Sequence, residues 1–131
     1  MGKAERRSLA VGAILGGLAV ALGAFGAHGL KQRISPEMLA IFEVGVRYQM
    51  YHALALVAVS FGGAGFWRMR CTRWACVMWT VGVLIFSGSL YVLAVSGIRW
   101  LGAITPLGGV AFLVGWGLLL AAAMRPASPQ E

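Results

Sequence analysis

Uncharged, mainly apolar runs dominate the chain and alternate with short charged clusters. The runs are 23, 20, 25 and 25 residues long and cover residues 8–30, 48–67, 74–98 and 100–124. A helix that crosses a bilayer needs about 20 mainly apolar residues. The pattern therefore predicts an all-α membrane protein whose whole chain, 1–131, is one integral membrane domain. The predicted fold is a four-transmembrane-helix bundle, with spans at about 9–27, 48–66, 74–95 and 106–124.

Two sequence patterns mark helix starts. Ser35-Pro36-Glu37 places an N-cap serine, a proline at the first helical position and an acidic residue in the first turn. Thr105-Pro106 is a similar start for the fourth span. After Pro36, apolar residues recur on one face up to residue 45 while charged residues avoid it. This predicts a short amphipathic helix between spans one and two, lying at the interface or running straight into span two.

Composition and charge narrow the class of protein. Of 131 residues, 60% are hydrophobic, and 11 basic residues outweigh four acidic ones to give a net charge of +7. This excludes an extramembrane domain. The basic residues lie in short clusters between the apolar runs, so they indicate contact with the lipid bilayer and not with nucleic acid. The side that holds both termini and the 68–73 loop carries seven of them against four, which predicts cytoplasmic termini.

Small residues recur through the first span. Gly12 and Gly16 form a GxxxG pair, and Gly23 belongs to a second stripe. Small residues at this spacing let helices approach closely in lipid, so we expect them to pack this helix within its own bundle or against a second copy. The basic residues before this span also resemble the start of a signal peptide, and that alternative stays open.

Polar side chains inside or beside the apolar runs are the candidate functional residues. They are His28, Glu43, Arg47, Gln49, His52, Ser87, Ser89, Tyr91 and Thr105. Because consecutive spans alternate in direction, all of these map to the outer half of the membrane, and the inner half holds few polar groups. Buried polar groups need partners. They predict either interhelical hydrogen bonds or a pocket for a lipid headgroup or small polar ligand.

The polar residues of the second span are spaced to interact along one helix. Glu43 and Arg47 are four residues apart with the acid first, the favoured order for an ion pair. Gln49 and His52 follow at helical spacing, so we expect an ordered polar strip that faces span one and His28. Two histidines without an attachment motif or a third ligand do not indicate haem or a metal site, and we expect no cofactor.

Four longer blocks carry a family resemblance. They are GAFGAHGL (23–30), YQMYHALAL (48–56), FSGSLY (86–91) and LGAITPLGG (101–109). The chain resembles domain-of-unknown-function family four-two-three, the YgdD/YwdK-like small inner-membrane proteins of bacteria, which has a eukaryotic four-span relative. The resemblance implies a multi-pass protein of the bacterial inner (plasma) membrane with no established activity, cofactor or catalytic residue.

Three classes of function remain open on the sequence. The favoured hypothesis is a non-enzymatic membrane protein, acting as an accessory subunit of a larger membrane complex or as a small homo-oligomer. The alternative is a small transporter or a lipid- or small-ligand-binding protein that uses His28 and His52, since the uncharged runs hold no acid. An enzyme would need Ser87 or Ser89 beside His52, and Ser-Gly-Ser in a membrane helix is more typical of close packing. We therefore predict that the protein is not an enzyme.

Overall fold

A computed structural model describes residues 1–125, and these residues contain helices and turns but no strand. The five α-helices are α1 (Lys3–Phe25), α2 (Pro36–Ser60), α3 (Gly63–Arg68), α4 (Arg70–Ser96) and α5 (Thr105–Ala123). A π-helical turn, Gly26–Leu30, extends α1, and a 3₁₀ helix, Arg99–Ala103, precedes α5. The prediction of an all-α protein is confirmed.

The long helices form two antiparallel hairpins that pack side by side. Helix α1 packs along α2, α4 packs along α5, and α2 joins the hairpins by packing on α4. Helices α1 and α5 do not pack along each other. We call the end that holds residue 3, the 61–69 segment and residue 123 the terminal end, and the end that holds residues 31–35 and 97–104 the loop end.

Glycines set the closest approaches between helices. A Cβ on Gly12 would lie 2.8 Å from Val57 Cγ2 and 2.9 Å from the carbonyl oxygen of Ala53, so α1 reaches α2 only because this side chain is absent. Cβ atoms on Gly16 and Gly23 would lie 3.8 Å from Ala53 and 3.4 Å from a valine of α2. The three glycines therefore face α2 of the same chain, as the first of the two predicted packing alternatives requires.

Helix α2 begins where the sequence predicts but ends earlier than predicted. Ser35 caps it as expected, because the Ser35 hydroxyl oxygen accepts a hydrogen bond from the backbone nitrogen of Met38 at 3.2 Å. Residues 36–47 are continuous with the rest of α2, so this segment does not form a separate helix but runs straight into the segment predicted as span two, the second of the two predicted placements. The predicted second span, 48–66, is too long, because α2 ends at Ser60 and Gly63 turns the chain with a φ of +82°.

Within residues 1–125, three helical segments are long and apolar enough to cross a membrane: Lys3–Leu30, Arg70–Ser96 and Arg99–Ala123. Helix α2 falls outside this group because charged and polar residues occupy its first half and its middle. Its 25 residues nevertheless give it a length of about 38 Å, enough for a hydrocarbon core of about 30 Å. The count of four crossings stays a prediction.

Candidate functional site

Gln49 is the polar residue that joins the most helices. Its side chain is only 3% exposed, and its amide nitrogen donates to the carbonyl oxygen of Leu15 in α1 at 2.8 Å. Its amide oxygen accepts a hydrogen bond from the Tyr91 hydroxyl of α4, also at 2.8 Å. One side chain in α2 therefore holds both neighbouring helices, and both ends of the amide are satisfied.

The serines of α4 bind two different neighbours. Ser87 is buried and donates to the carbonyl oxygen of Gly45 in α2 at 2.7 Å. The hydroxyls of Ser89 and Thr105 lie 2.6 Å apart and join α4 to the start of α5. Among the described residues, neither serine is hydrogen-bonded to a histidine, so the serine–histidine pair considered for an enzyme is not formed at these two positions.

His52 is enclosed by aromatic side chains and is only 4% exposed. Its Nδ1 lies 2.7 Å from the carbonyl oxygen of Tyr48, and its Nε2 accepts a hydrogen bond from Trp116 Nε1 at 3.1 Å. The Phe112 ring stacks on the imidazole with centroids 3.7 Å apart and an interplanar angle of 7°. These bonds assign the proton to Nδ1 and occupy both nitrogens, so a ligand would have to displace a native contact.

Three of the predicted site residues lie apart from these bonds. His28 is exposed on the π-helical turn, and Glu43 and Arg47 are exposed on α2. The predicted ion pair between Glu43 and Arg47 is wrong. Within residues 1–125, the side-chain ion pair that forms at the loop end joins Glu37 to Arg99 at 3.7 Å. The expected strip facing His28 is also wrong, because Gln49 reaches the middle of α1 instead.

Polar side chains are buried in both halves of the bundle, and not in one half as predicted. Gln49 and His52 lie near the middle of α2, which spans Pro36–Ser60. A further set of buried polar side chains lies at the terminal end: Glu5, Ser8, Ser60, Thr72 and Cys76. The Ser8 hydroxyl donates to the carbonyl oxygen of Leu56 at 2.9 Å. Polar groups therefore pair helices at several depths and do not form one continuous site.

Residues 22–109 match the family described as a protein of unknown function (DUF423). The UPF0382 membrane protein YwdK of Bacillus subtilis (strain 168) is 47% identical over 118 residues, which cover 88% of this chain and 94% of the relative. The UPF0382 inner membrane protein YgdD of Escherichia coli (strain K12) is 39% identical over 124 residues, 92% of each chain. The chain belongs to the DUF423 family. No solved structure matches it.

Membership in DUF423 confirms the resemblance seen in the four sequence blocks. Relatives named as membrane proteins, together with the three span-length helices, make this chain an integral membrane protein. The matched segment contains both partners of three interhelical bonds, Gln49–Tyr91, Ser87–Gly45 and Ser89–Thr105, whereas Ser8, Leu15 and Trp116 lie outside it. What these bonds do chemically is to fix the helices of a DUF423 protein relative to one another.

Sequence reasoning missed Trp116 and the polar set of the terminal end. Trp116 was hidden because an indole in a membrane helix is usually counted with the apolar residues, although its N–H needs a partner when buried. The available signal was that Trp116 is the one residue in the second half of the last span whose side chain carries a nitrogen or oxygen atom. It is therefore the one side chain there that can bond to His52 through an N–H. Ser8 and Cys76 carried no such signal, since each is a small residue at the edge of an apolar run.

Proposed function

We propose that this DUF423 protein is a non-enzymatic membrane protein that crosses the bilayer four times and acts as a small homo-oligomer, in its simplest form a dimer. The proposed contact surface lies on the α1–α2 hairpin and is here called the hairpin face. It consists of Ala13, Gly17 and Ala21 of α1 with Arg47, Tyr51 and Leu54 of α2, all of them exposed. The observation that carries the proposal is that small and large exposed residues lie side by side on this face.

The two halves of the hairpin face point in the same direction. In α1, Ser8 lies 3.7 Å from Cys76 of α4, and Gly17 is nine residues further along, on the opposite side of the helix. In α2, the carbonyl oxygen of Gly45 accepts a hydrogen bond from Ser87 of α4. Leu54 is nine residues further along and therefore lies on the opposite side of α2. Both halves therefore face away from α4 and form one surface.

The surface shape of the hairpin face is complementary to that of a second copy of the chain. No atom lies within 4 Å of a Cβ placed on Gly17, so α1 carries a shallow depression there. Gly16 faces Ala53, which places Gly17 level with Tyr51 (54% exposed) and Leu54 (58% exposed). Two copies related by a two-fold axis each supply a depression and a pair of large side chains at one depth, as a self-complementary interface requires.

Five exposed residues along one side of α2 and its C-cap also follow the spacing of a helix-pairing seam. Residues 47, 51, 54, 58 and 61 are exposed and are separated alternately by four and three positions. This is the 3.5-residue repeat that keeps one stripe of a helix facing a partner helix. The stripe is unpaired within the described chain, so a partner helix would be supplied by another molecule.

Two charged residues at the loop-end side of the same stripe add charge complementarity. Gly45 contacts Ser87 and Gly108 contacts Phe86, so the two glycines lie at nearly the same depth in the bundle. Gly108 is three residues, or about 4.5 Å, from the start of α5. Glu43 is therefore near the edge of the apolar layer, and Arg47 is about 6 Å deeper. Exposed charges at that depth are costly unless paired. In a parallel dimer, Glu43 of each copy is near Arg47 of the other.

Cross-linking in native membranes tests the hairpin face. In a cysteine-free background (Cys71→Ser, Cys76→Ala), we introduce Gly17→Cys or Leu54→Cys and treat the membranes with a short bifunctional maleimide. We expect most of the protein in both variants to run as a covalent dimer. The matched control is Gly117→Cys on α5, which is equally exposed and equally open, with no atom within 4 Å of its Cβ position.

Each outcome of the cross-linking experiment has a defined meaning. Dimers from Gly17→Cys and Leu54→Cys, with little from Gly117→Cys, support the proposal. Equal yields from all three would indicate random collision in the membrane and would contradict it. Cross-links only to a different protein would replace the homo-oligomer by the accessory-subunit alternative, with the same face as the contact surface.

A further inference from the structure

A groove opens between α1 and α4 at the terminal end, on the side of the molecule away from the hairpin face. Its volume is about 400 Å³, within the range of small-molecule sites. Helix α1 packs mainly on α2 and makes few contacts with α4, among them the approach of the Ser8 hydroxyl to Cys76. The gap between the two helices therefore follows from the way the first hairpin is placed on the second.

The two ends of this groove differ in chemistry. Its length is lined by apolar and weakly polar residues, which include Val11, Leu56, Val77 and Thr80. Its rim at the terminal end carries three cations, Lys3, Arg7 and Arg73. Glu5, the nearest acid, is 6% exposed; its carboxylate accepts a hydrogen bond from the backbone nitrogen of Gly2 and lies 3.9 Å from the N-terminal ammonium of Met1, so its ion-pair partner is not one of the three rim cations.

We propose that this groove binds one anionic phospholipid. The phosphate lies among Lys3, Arg7 and Arg73, and one acyl chain runs between α1 and α4 along Val11 and Val77. The lipid contributes a negative headgroup to the basic rim and a hydrocarbon chain to the apolar walls, so both ends of the groove are matched by one molecule. This proposal does not depend on the oligomeric state, because the groove and the hairpin face lie on opposite sides of α1.

The surroundings of the rim favour a lipid over a soluble anion. A second cavity of about 540 Å³ adjoins the groove and shares Lys3, Trp67 and Arg73 with it. It provides space for a headgroup beyond the phosphate. A soluble phosphate would use the rim but would leave the apolar walls between the helices uncovered, whereas an acyl chain covers them. A zwitterionic lipid would fill the walls but would bring its own positive charge to a rim that already has three cations.

The experiment compares two lipids with identical acyl chains by native mass spectrometry of the protein in a neutral detergent. We expect one phosphatidylglycerol to bind well below the concentration at which phosphatidylcholine binds. The double variant Arg7→Gln, Arg73→Gln should weaken phosphatidylglycerol binding about 25-fold, because each basic residue near an anionic headgroup contributes roughly a factor of five. Val77→Trp, at a 45% exposed position, should block the groove and weaken binding while the rim stays intact.

The matched control removes the same charge at the other end of the molecule. Lys31→Gln, Arg33→Gln changes two exposed basic residues of the loop end and should leave phosphatidylglycerol binding unchanged. Equal weakening by both double variants, or equal binding of the two lipids, would overturn the proposal. Loss of lipid in the presence of glycerol phosphate at millimolar concentration, with no effect of Val77→Trp, would assign the rim to a soluble phosphate and would also overturn it.

Discussion

Replacing Gly108 by alanine is expected to lower the free energy of unfolding by about 1–3 kcal/mol. The new Cβ would lie 2.7 Å from Phe86 Cβ and 2.8 Å from Phe86 Cα, distances at which one helix backbone has to move. A flexible side chain could rotate away from such a contact, but the backbone of α4 cannot do so without separating from α5. The variant should therefore loosen the second hairpin over several turns.

The neighbouring glycine provides the control for this prediction. A Cβ on Gly109 would lie 4.0 Å from Phe86 Cδ2, an ordinary van der Waals distance, so Gly109→Ala should change stability by about 0.5 kcal/mol or less. Reversible unfolding in mixed detergent micelles, followed by circular dichroism, measures both variants. Similar curves for Gly108→Ala and Gly109→Ala would show that the helices do not approach as closely as described.

Gln49→Leu is expected to cost about 1–3 kcal/mol, because it removes two interhelical hydrogen bonds at once. Such bonds in membrane proteins contribute about 0.6 kcal/mol on average and up to about 1.7 kcal/mol each. Leucine fills much of the space of the glutamine but leaves the partly buried Tyr91 hydroxyl without its acceptor. Unfolding in the same micelles gives the loss in stability, and the variant Tyr91→Phe allows the pair to be measured as a double-mutant cycle.

The double-mutant cycle measures the coupling energy between Gln49 and Tyr91. Once Tyr91 is phenylalanine, Gln49→Leu should cost less than it does in the parent protein, since one of the two bonds is already gone. A coupling energy of zero would mean that the two side chains do not interact. Ser96→Ala is the control for loss of side-chain hydrogen bonds that join no two helices, because the exposed Ser96 hydroxyl donates to Val92 of its own helix and accepts from the backbone nitrogen of Ile98 in the following turn, and it should contribute little.

The helices themselves were predictable from the sequence because hydrophobic length and local caps depend on neighbouring residues alone. Ser35 and Pro36 begin α2 as predicted, and the turn after Ser96 occurs at Gly97, whose φ is +72°. The start of α5 was predicted within one residue of Thr105, although its hydroxyl binds Ser89 and does not cap the helix. The break at Gly62–Gly63 was missed because the apolar run continues through it.

The partners of the polar side chains were not predictable in the same way. Which residues meet across two helices depends on how each helix is rotated about its axis and how deeply it lies, and periodicity leaves both open. Ser87, Ser89 and Tyr91 were correctly identified as polar residues within α4, but they bind three different partners and not one common site. Only the packed structure shows that Glu43 and Arg47 face outward.

Rotation about the helix axes also decides which glycine pattern is available to a second copy. The sequence contains a GxxxG pair at Gly12 and Gly16, which suggested helix pairing as one of two alternatives. In the structure, Gly12 is buried against α2, whereas Gly17, one position beyond the pair, is exposed and has no atom within 4 Å of its Cβ position. The proposed contact therefore uses Gly17 of the parallel small-residue stripe Ala13, Gly17 and Ala21, and not the GxxxG pair itself.

The most direct test of self-association through the hairpin face is to count subunits in lipid vesicles by single-molecule photobleaching, over a series of protein-to-lipid ratios. We expect two-step bleaching to replace one-step bleaching as protein density rises. Gly17→Leu should raise the density needed by about tenfold, equivalent to about 1.4 kcal/mol, while Gly117→Leu should leave it unchanged. One-step bleaching at every density, or an equal shift from both variants, would contradict the account.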